Sequence, residues 1–181
     1  MPQVEHKLKC LDGMAFARIA LVSDSHGPLH EAIAGQLEGY DCVVHAGDLG
    51  NWQSFAALSA NFHAVRGNND IDTKWPVSEL RYLRRIPEVL NIKLRGGELV
   101  VIHGHQFPAL KTRHARLREA YPQAKAILYG HSHRAVIEKS RAPWIINPGA
   151  SGYKRTFGGA AYIRLTIGDN GWRLRRILIA D

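Results

Sequence analysis

Cysteine is almost missing: Cys10 and Cys42 are the only two in 181 residues. Two thiols cannot build a disulfide framework, and Cys42 lies inside an apolar run, where it reads as a small core residue. Long apolar runs are lacking as well. None approaches the roughly 20 residues that a membrane span needs, and the opening MPQVEHKLKCLDGMAF has no apolar stretch of signal-peptide kind. The expectation is a cytoplasmic protein with no membrane partner. Acidic side chains are in deficit, 16 against 24 Lys plus Arg, so the net charge is +8. The basic residues form short separate groups (Arg81, Arg84, Arg85; Arg113, Arg116, Arg118; Arg173, Arg175, Arg176) that read as solvated faces. Such a balance allows an anionic partner without choosing one. Internal repeats, low-complexity tracts and Pro/Gly/Ser linkers are also absent, which predicts one domain over 1–181, with 1–15 as an N-terminal extension.

What is present is an alternation of short apolar runs with helix-like segments. Ala17–Val22 reads as a central strand, and Pro28 opens a helix to about Glu38 with Leu29, Ile33 and Leu37 on one face. Strands over 41–46 and 62–65 bracket a second helix over Trp52–Ala60. Segments 86–94 and 98–103 flank the turn Arg95-Gly96-Gly97, a basic helix is expected over 109–120, and a buried strand over 126–129. Strand-like segments then follow at 136–139, 144–146, 160–167 and 172–179. The order βαβαβ, then mostly β, predicts an α/β fold of two packed sheets with helices outside.

Polar residues fall where these runs end. LVSDSH supplies Asp24 and His26, VVHAGD supplies Asp48, and AVRGNND supplies Asn68; LVVIHGH supplies His103, and ILYGHSH supplies His131 and His133. Ligands of open α/β sheets collect at the carboxyl ends of strands, so residues distant in sequence can meet there. Asp24 and His26 are two apart, as are His131 and His133, which in extended loops projects each pair to one side. Two carboxylates, one amide oxygen and four imidazoles exceed the needs of one four-coordinate ion. Two divalent ions sharing a carboxylate account for the set. Mixed N and O donors without thiolate suit Mn, Fe, Co, Ni or Zn, with Mn the first expectation.

The motifs Asp24-Ser25-His26, Gly47-Asp48, Gly67-Asn68-Asn69-Asp70, His103 and Gly130-His131-Ser132-His133 resemble, in order, the signature of the calcineurin-like metallophosphoesterases. The resemblance runs from about residue 17 to 167. It is nearest to the short YfcE-like phosphodiesterase branch, whose N-P-G-S pattern is similar to Asn147-Pro148-Gly149-Ala150-Ser151 here. It implies a four-layer αββα sandwich with two mixed sheets. It also implies one ion held by Asp24, His26, Asp48 and His133, and another held by Asp48, Asn68, His103 and His131, with Asp48 bridging. The implied activity is hydrolysis of a phosphodiester in a small anionic substrate by metal-activated hydroxide. A homo-oligomer is a further expectation by analogy.

One position departs from the family, which places a His after the ligand Asn. Asn69 stands there; its amide can hydrogen-bond a phosphate oxygen but cannot act as a general acid near neutral pH. Reliance on good leaving groups follows. His105 is the nearest substitute for that His, and a loop-orienting hydrogen bond is its equal alternative. Asp70 is expected to bond its own loop, and His45 to be a satisfied strand histidine. Asn147 and Arg155 are candidate substrate contacts, although Asn-Pro-Gly is also a common turn and Arg155 suits a solvated surface. Two alternatives differ in class. A nuclease would want an aromatic-and-basic platform beside the site, and the sequence shows none. A non-catalytic protein-binding scaffold, similar to the retromer subunit, would be favoured by broken ligand motifs, and these are intact.

Overall fold

The structure is a computed structural model and describes residues 4–6, 11, 14–58 and 61–179. Cys10, most of the expected N-terminal extension and the end of the expected helix at Ala60 lie outside the described residues. In chain order the strands are Val4–His6 (β1), Ala17–Val22 (β2), Cys42–His45 (β3), Phe62–Ala64 (β4), Val89–Leu94 (β5) and Gly97–Ile102 (β6). They continue as Ala126–Leu128 (β7), Val136–Glu138 (β8), Trp144–Asn147 (β9), Ala161–Gly168 (β10) and Gly171–Leu178 (β11). Helices span Glu31–Leu37 (α1), Leu80–Leu83 (α2) and Arg113–Ala120 (α3).

Two mixed sheets result, one of order β1-β5-β6-β7-β9-β8 and one of order β11-β10-β2-β3-β4. Alternation along the strands explains how they pack. Ile19 and Leu21 of β2, Leu99 and Val101 of β6, and Ala126 and Leu128 of β7 share the core between the sheets. The intervening residues face outward: Ala20 and Val22 pack against Ile33 and Leu37 of α1, Phe55, and Leu83 of α2. On the other side Val100, Ile102 and Ile127 pack against Leu117 of α3. The chain is therefore a four-layer αββα sandwich, as the resemblance implies. Among the described residues no helix is long and apolar enough to cross a membrane.

Several boundaries differ from the sequence expectation for local reasons. The first helix begins at Glu31 rather than Pro28, because His30 keeps a non-helical backbone and its Nδ1 accepts from the Ala32 N–H. The second expected helix is a 3-10 segment over Gln53–Leu58. β5 starts after Pro87, which lacks the N–H a ladder needs. Within the expected extension, Val4–His6 pairs in parallel with β5. Arg113 and Arg118 correct the reading of the basic groups as solvated: both are buried. Arg113 Nε donates to the Phe107 carbonyl, and Arg118 donates to the Pro143 carbonyl and to Glu138.

Candidate metal centre

β2, β3 and β4 run parallel, as do β6, β7 and β9, and their carboxyl ends lead into the loops that hold the candidate residues. Asp24 and His26 follow β2, Asp48 follows β3, Asn68 follows β4, His103 follows β6, and His131 and His133 follow β7. The loops after β2 and β3 extend the parallel pairing, with the amides of Asp24, His26 and Gly27 donating to the carbonyls of Gly47, Asp48 and Leu49. That ladder fixes two ligand loops against each other.

All seven predicted residues meet. Asp24, His26 and His133 bring one donor atom each within 4.8 Å of one another, and so do Asp24, Asp48 and His103. Asn68 Oδ1 lies 3.1 Å from His103 Nε2. His131 belongs to neither group of three; its ring stands edge-on to His103 at 5.2 Å, and its backbone N–H donates to Asp24 Oδ1. Asp24, Asp48, His103 and His133 are buried, whereas Asn68 is exposed and His26 and His131 are half-buried.

The backbone at these residues was not foreseen. Asp24, His26, Asp48, His131 and His133 all have φ between 49° and 65°, the left-handed region that side chains with a Cβ seldom enter. The paired ligands thus reach the site through left-handed turns, not through extended loops. Two of the flanking glycines serve closeness instead of turning: a Cβ on Gly67 would overlap the Asp48 carboxylate and amide, and one on Gly130 would overlap the Ser23 hydroxyl.

Electrostatics follow from burial and neighbours. Burial pushes Asp24 up to about 6, against the pull of His103 and the Ser23 hydroxyl bond. Burial acts on Asp48 in the same sense, yet the bonds from His103 and Asn69 outweigh it and hold this carboxyl well below its usual range. Burial, with help from neighbouring cations, lowers His131 and His133 to about 4, and it lowers His26 as well. His103 runs the other way: burial opposes its charge, but Asp48 and Asp24 raise it.

Two arrangements favour a cation. His103 Nδ1 donates to the Ala46 carbonyl at 2.8 Å, so Nε2 faces Asp48 Oδ2 at 3.4 Å and Asn68 Oδ1. His26 and His133 face each other through their Nε2 atoms at 3.2 Å. Lone pairs converging in this way fit a divalent ion, and an N/O donor set without sulfur fits a first-row transition metal.

Other predicted residues occupy supporting positions. Asn69 donates its backbone N–H to Asp48 Oδ1 and its side-chain NH2 to Oδ2, while its own Oδ1 accepts from Lys74 Nζ. Asn147 is buried; its amide donates to the Gly130 carbonyl and Ser132, and its Oδ1 accepts from Gly149, so it braces the loop carrying His131 and His133. Arg155 is exposed, with Nη2 at 3.0 Å from His26 Nε2. His105 lines a cleft of about 400 Å³ with Arg66, Asn68, Asp72 and Glu88, and burial lowers its pKa.

His45 is fully buried, its Nδ1 accepting from Gly47 N and its Nε2 facing the Ser25 hydroxyl. Asp70 does bond its own loop through Gly67, but it also holds the Asp48 loop. The sequence reading missed that second set of bonds. Also unforeseen was His114, which joins Glu138 to the Tyr129 hydroxyl on either side of the loop carrying His131 and His133. Its place in a basic helix gave no signal of this.

Comparison with known proteins agrees with the geometry. The calcineurin-like phosphoesterase superfamily domain matches residues 17–170. A probable metallophosphoesterase of Mycoplasma pneumoniae is 32% identical over 141 residues, covering 74% of this chain and 78% of that protein. A phosphodiesterase of Methanocaldococcus jannaschii is 27% identical over 143 residues, covering 73% and 82%. Solved structures share the fold. The E. coli phosphoesterase Yfce has a TM-score of 0.62 at 20% identity, covering 90% of this chain and 100% of that one. Vacuolar protein sorting 29 of Cryptosporidium parvum has a TM-score of 0.70 at 12% identity, covering 93% and 100%. Since the matched segment carries every strand end that meets at the centre, the chain belongs to the calcineurin-like phosphoesterase superfamily.

Proposed function

We propose that this protein is a binuclear metal-dependent phosphodiesterase of the cytoplasm acting on a small anionic ester. The observation that carries the reading is the convergence of donor atoms from Asp24, His26, Asp48, His103 and His133, with Asn68 Oδ1 and the His131 ring beside His103, from five strand ends on one buried-to-open centre. Asp24, His26, Asp48 and His133 would hold one ion, and Asp48, Asn68, His103 and His131 the other. Divalent ions held there, Mn first among them, would supply Lewis acidity toward phosphoryl oxygens and would lower the pKa of water for attack at neutral pH.

The chain's own groups do the rest. Asp48 stays ionised, and Asn69 fixes its two oxygens. His103 presents Nε2 because its Nδ1–H is given to a backbone carbonyl. Arg155, at the exposed edge, meets the negative charge of the ester. Burial holds His105 below the usual imidazole range, which favours hydrogen-bonding a leaving oxygen over protonating it. Turnover then favours esters with good leaving groups over simple alkyl monoesters.

Metal analysis with a panel of phosphodiesters and monoesters, on wild type and Asp48→Ala, tests this. Stoichiometric metal and diester hydrolysis in the wild type, both lost in the variant, are expected. Undiminished hydrolysis by Asp48→Ala overturns the proposal.

A further inference from the structure

The segment after β9 crosses the His26–His133 side of the centre. Its start is tied to the ligand loop, where Ser151 N donates to the Ser23 carbonyl and Ser23 N donates to Ser151 Oγ. Arg155 follows in a left-handed backbone (φ 54°) that carries its guanidinium to His26. Strained placement of this kind persists only where surrounding contacts enforce it. Two residues on, Phe157 sets its ring edge-on to His133, with centroids 6.5 Å apart. The Arg134 guanidinium lies 4.9 Å from the Phe157 ring centre, yet Phe157 is still 53% exposed. An apolar ring left half open beside a polar centre, with a cation already stacked on it, lacks a structural reason.

The chemistry of that pair is specific. A planar π-system stacks on phenylalanine and on a guanidinium plane, and nucleobases do both. Arg155, two residues before this ring, reaches His26 while the ring borders His133, so a base on Phe157 and a phosphate on Arg155 would both lie beside the same pair of histidines. The other exposed aromatic of the segment is already engaged: Tyr153 packs at a tilt against His30, with ring centres 4.8 Å apart, and its hydroxyl accepts from Glu31 N. The platform is therefore one base wide, which suits a nucleotide better than a strand.

We propose that Phe157 and Arg134 form a nucleobase platform, so that the phosphodiester substrate carries a nucleoside on one ester arm, with Arg155 on its phosphate. This rests on the phosphodiesterase reading above for its activity arm only. Two esters with the same leaving group isolate the base: the p-nitrophenyl ester of thymidine 5′-monophosphate and methyl p-nitrophenyl phosphate. With Mn-loaded protein, kcat/KM for the thymidine ester is expected to exceed that for the methyl ester about tenfold, mostly through KM. Phe157→Ala and Phe157→Leu collapse that ratio, and Phe157→Trp restores it.

Calorimetry with adenosine 5′-monophosphate gives a readout independent of turnover, and a roughly tenfold weaker Kd is expected for Phe157→Ala. Unchanged ratios and unchanged Kd in both small variants overturn the platform. Failure of the wild type to hydrolyse either ester sinks the phosphodiesterase reading instead, and the calorimetry still decides the platform. A 12-nucleotide single strand binding far more tightly than the mononucleotide, with a steep salt dependence, would overturn the one-base assignment in favour of a nucleic-acid track.

Discussion

Asn69 grips both oxygens of Asp48, its backbone N–H on Oδ1 at 2.8 Å and its side-chain amide on Oδ2 at 2.7 Å. The residue at the position of the family's histidine thus acts on a carboxylate of the candidate metal centre. Removing the amide frees Asp48 to rotate. Asn69→Ala is expected to weaken Mn2+ binding by about 10–100-fold, the usual effect of losing a group that orients a ligand. Calorimetric titration reads the affinity, and thermal unfolding of the metal-free protein should move little.

Asp70 should behave in the opposite way. Its carboxylate accepts from five N–H groups: the amides of Asp48, Leu49, Gly50 and Gly67, and the Trp75 indole. Asp70→Asn turns an NH2 group toward some of these donors and leaves buried amides unpaired. A loss of about 3–5 kcal/mol is expected in denaturant unfolding of the metal-free protein. A loss under 1 kcal/mol would show that this knot does not organise the two loops.

Two glycine substitutions separate room from conformation. In α1 a Cβ on Gly35 meets nothing within 4 Å, so Gly35→Ala should stabilise by about 0.5–1 kcal/mol without altering metal binding. Gly67→Ala drives a methyl into the Asp48 carboxylate and should abolish tight Mn2+ binding. Unfolding curves and metal titrations on both variants check the contrast.

His45 gives a pH signature. Burial lowers it from 6.5 to about 3, so the folded state keeps it neutral where the unfolded chain takes up a proton. Its contribution is complete above 6.5 and is lost as pH falls from 6.5 toward 3. Each such proton adds a slope of about 1.4 kcal/mol per pH unit to the stability curve. His45→Gln in the metal-free protein should flatten the curve by one proton across this window. An unchanged slope would show that the buried imidazole does not titrate with unfolding.

The candidate centre was legible because every proposed ligand follows an apolar run. LVSDSH and ILYGHSH announce strand ends, and parallel strands bring such ends to one edge whatever their separation in sequence. Other features carry no such mark. Arg113 and Arg118 look like surface charge until α3 docks and their guanidinium groups find carbonyls and Glu138. Val4–His6 is three residues long, too short for alternation to show, and its pairing with β5 is purely tertiary. The start of α1 depends on His30, an unusual capping residue. Phe157 and Arg134 lie 23 positions apart, and only the return of the chain after β9 stacks them.

The left-handed turns have a consequence for how such a chain changes over generations. Five ligand positions hold a backbone conformation that costs an aspartate or histidine roughly 1–2 kcal/mol each, and glycine almost nothing. The five positions do not carry that cost alike. At the half-buried His26 and His131 a change to glycine relieves the strain at little other expense, whereas at the buried Asp24 and Asp48 it strips the acceptors from Ser23, His131 and Asn69. Drift in such a sandwich therefore erodes the rim histidines first and leaves the buried carboxylates as the last trace of the centre.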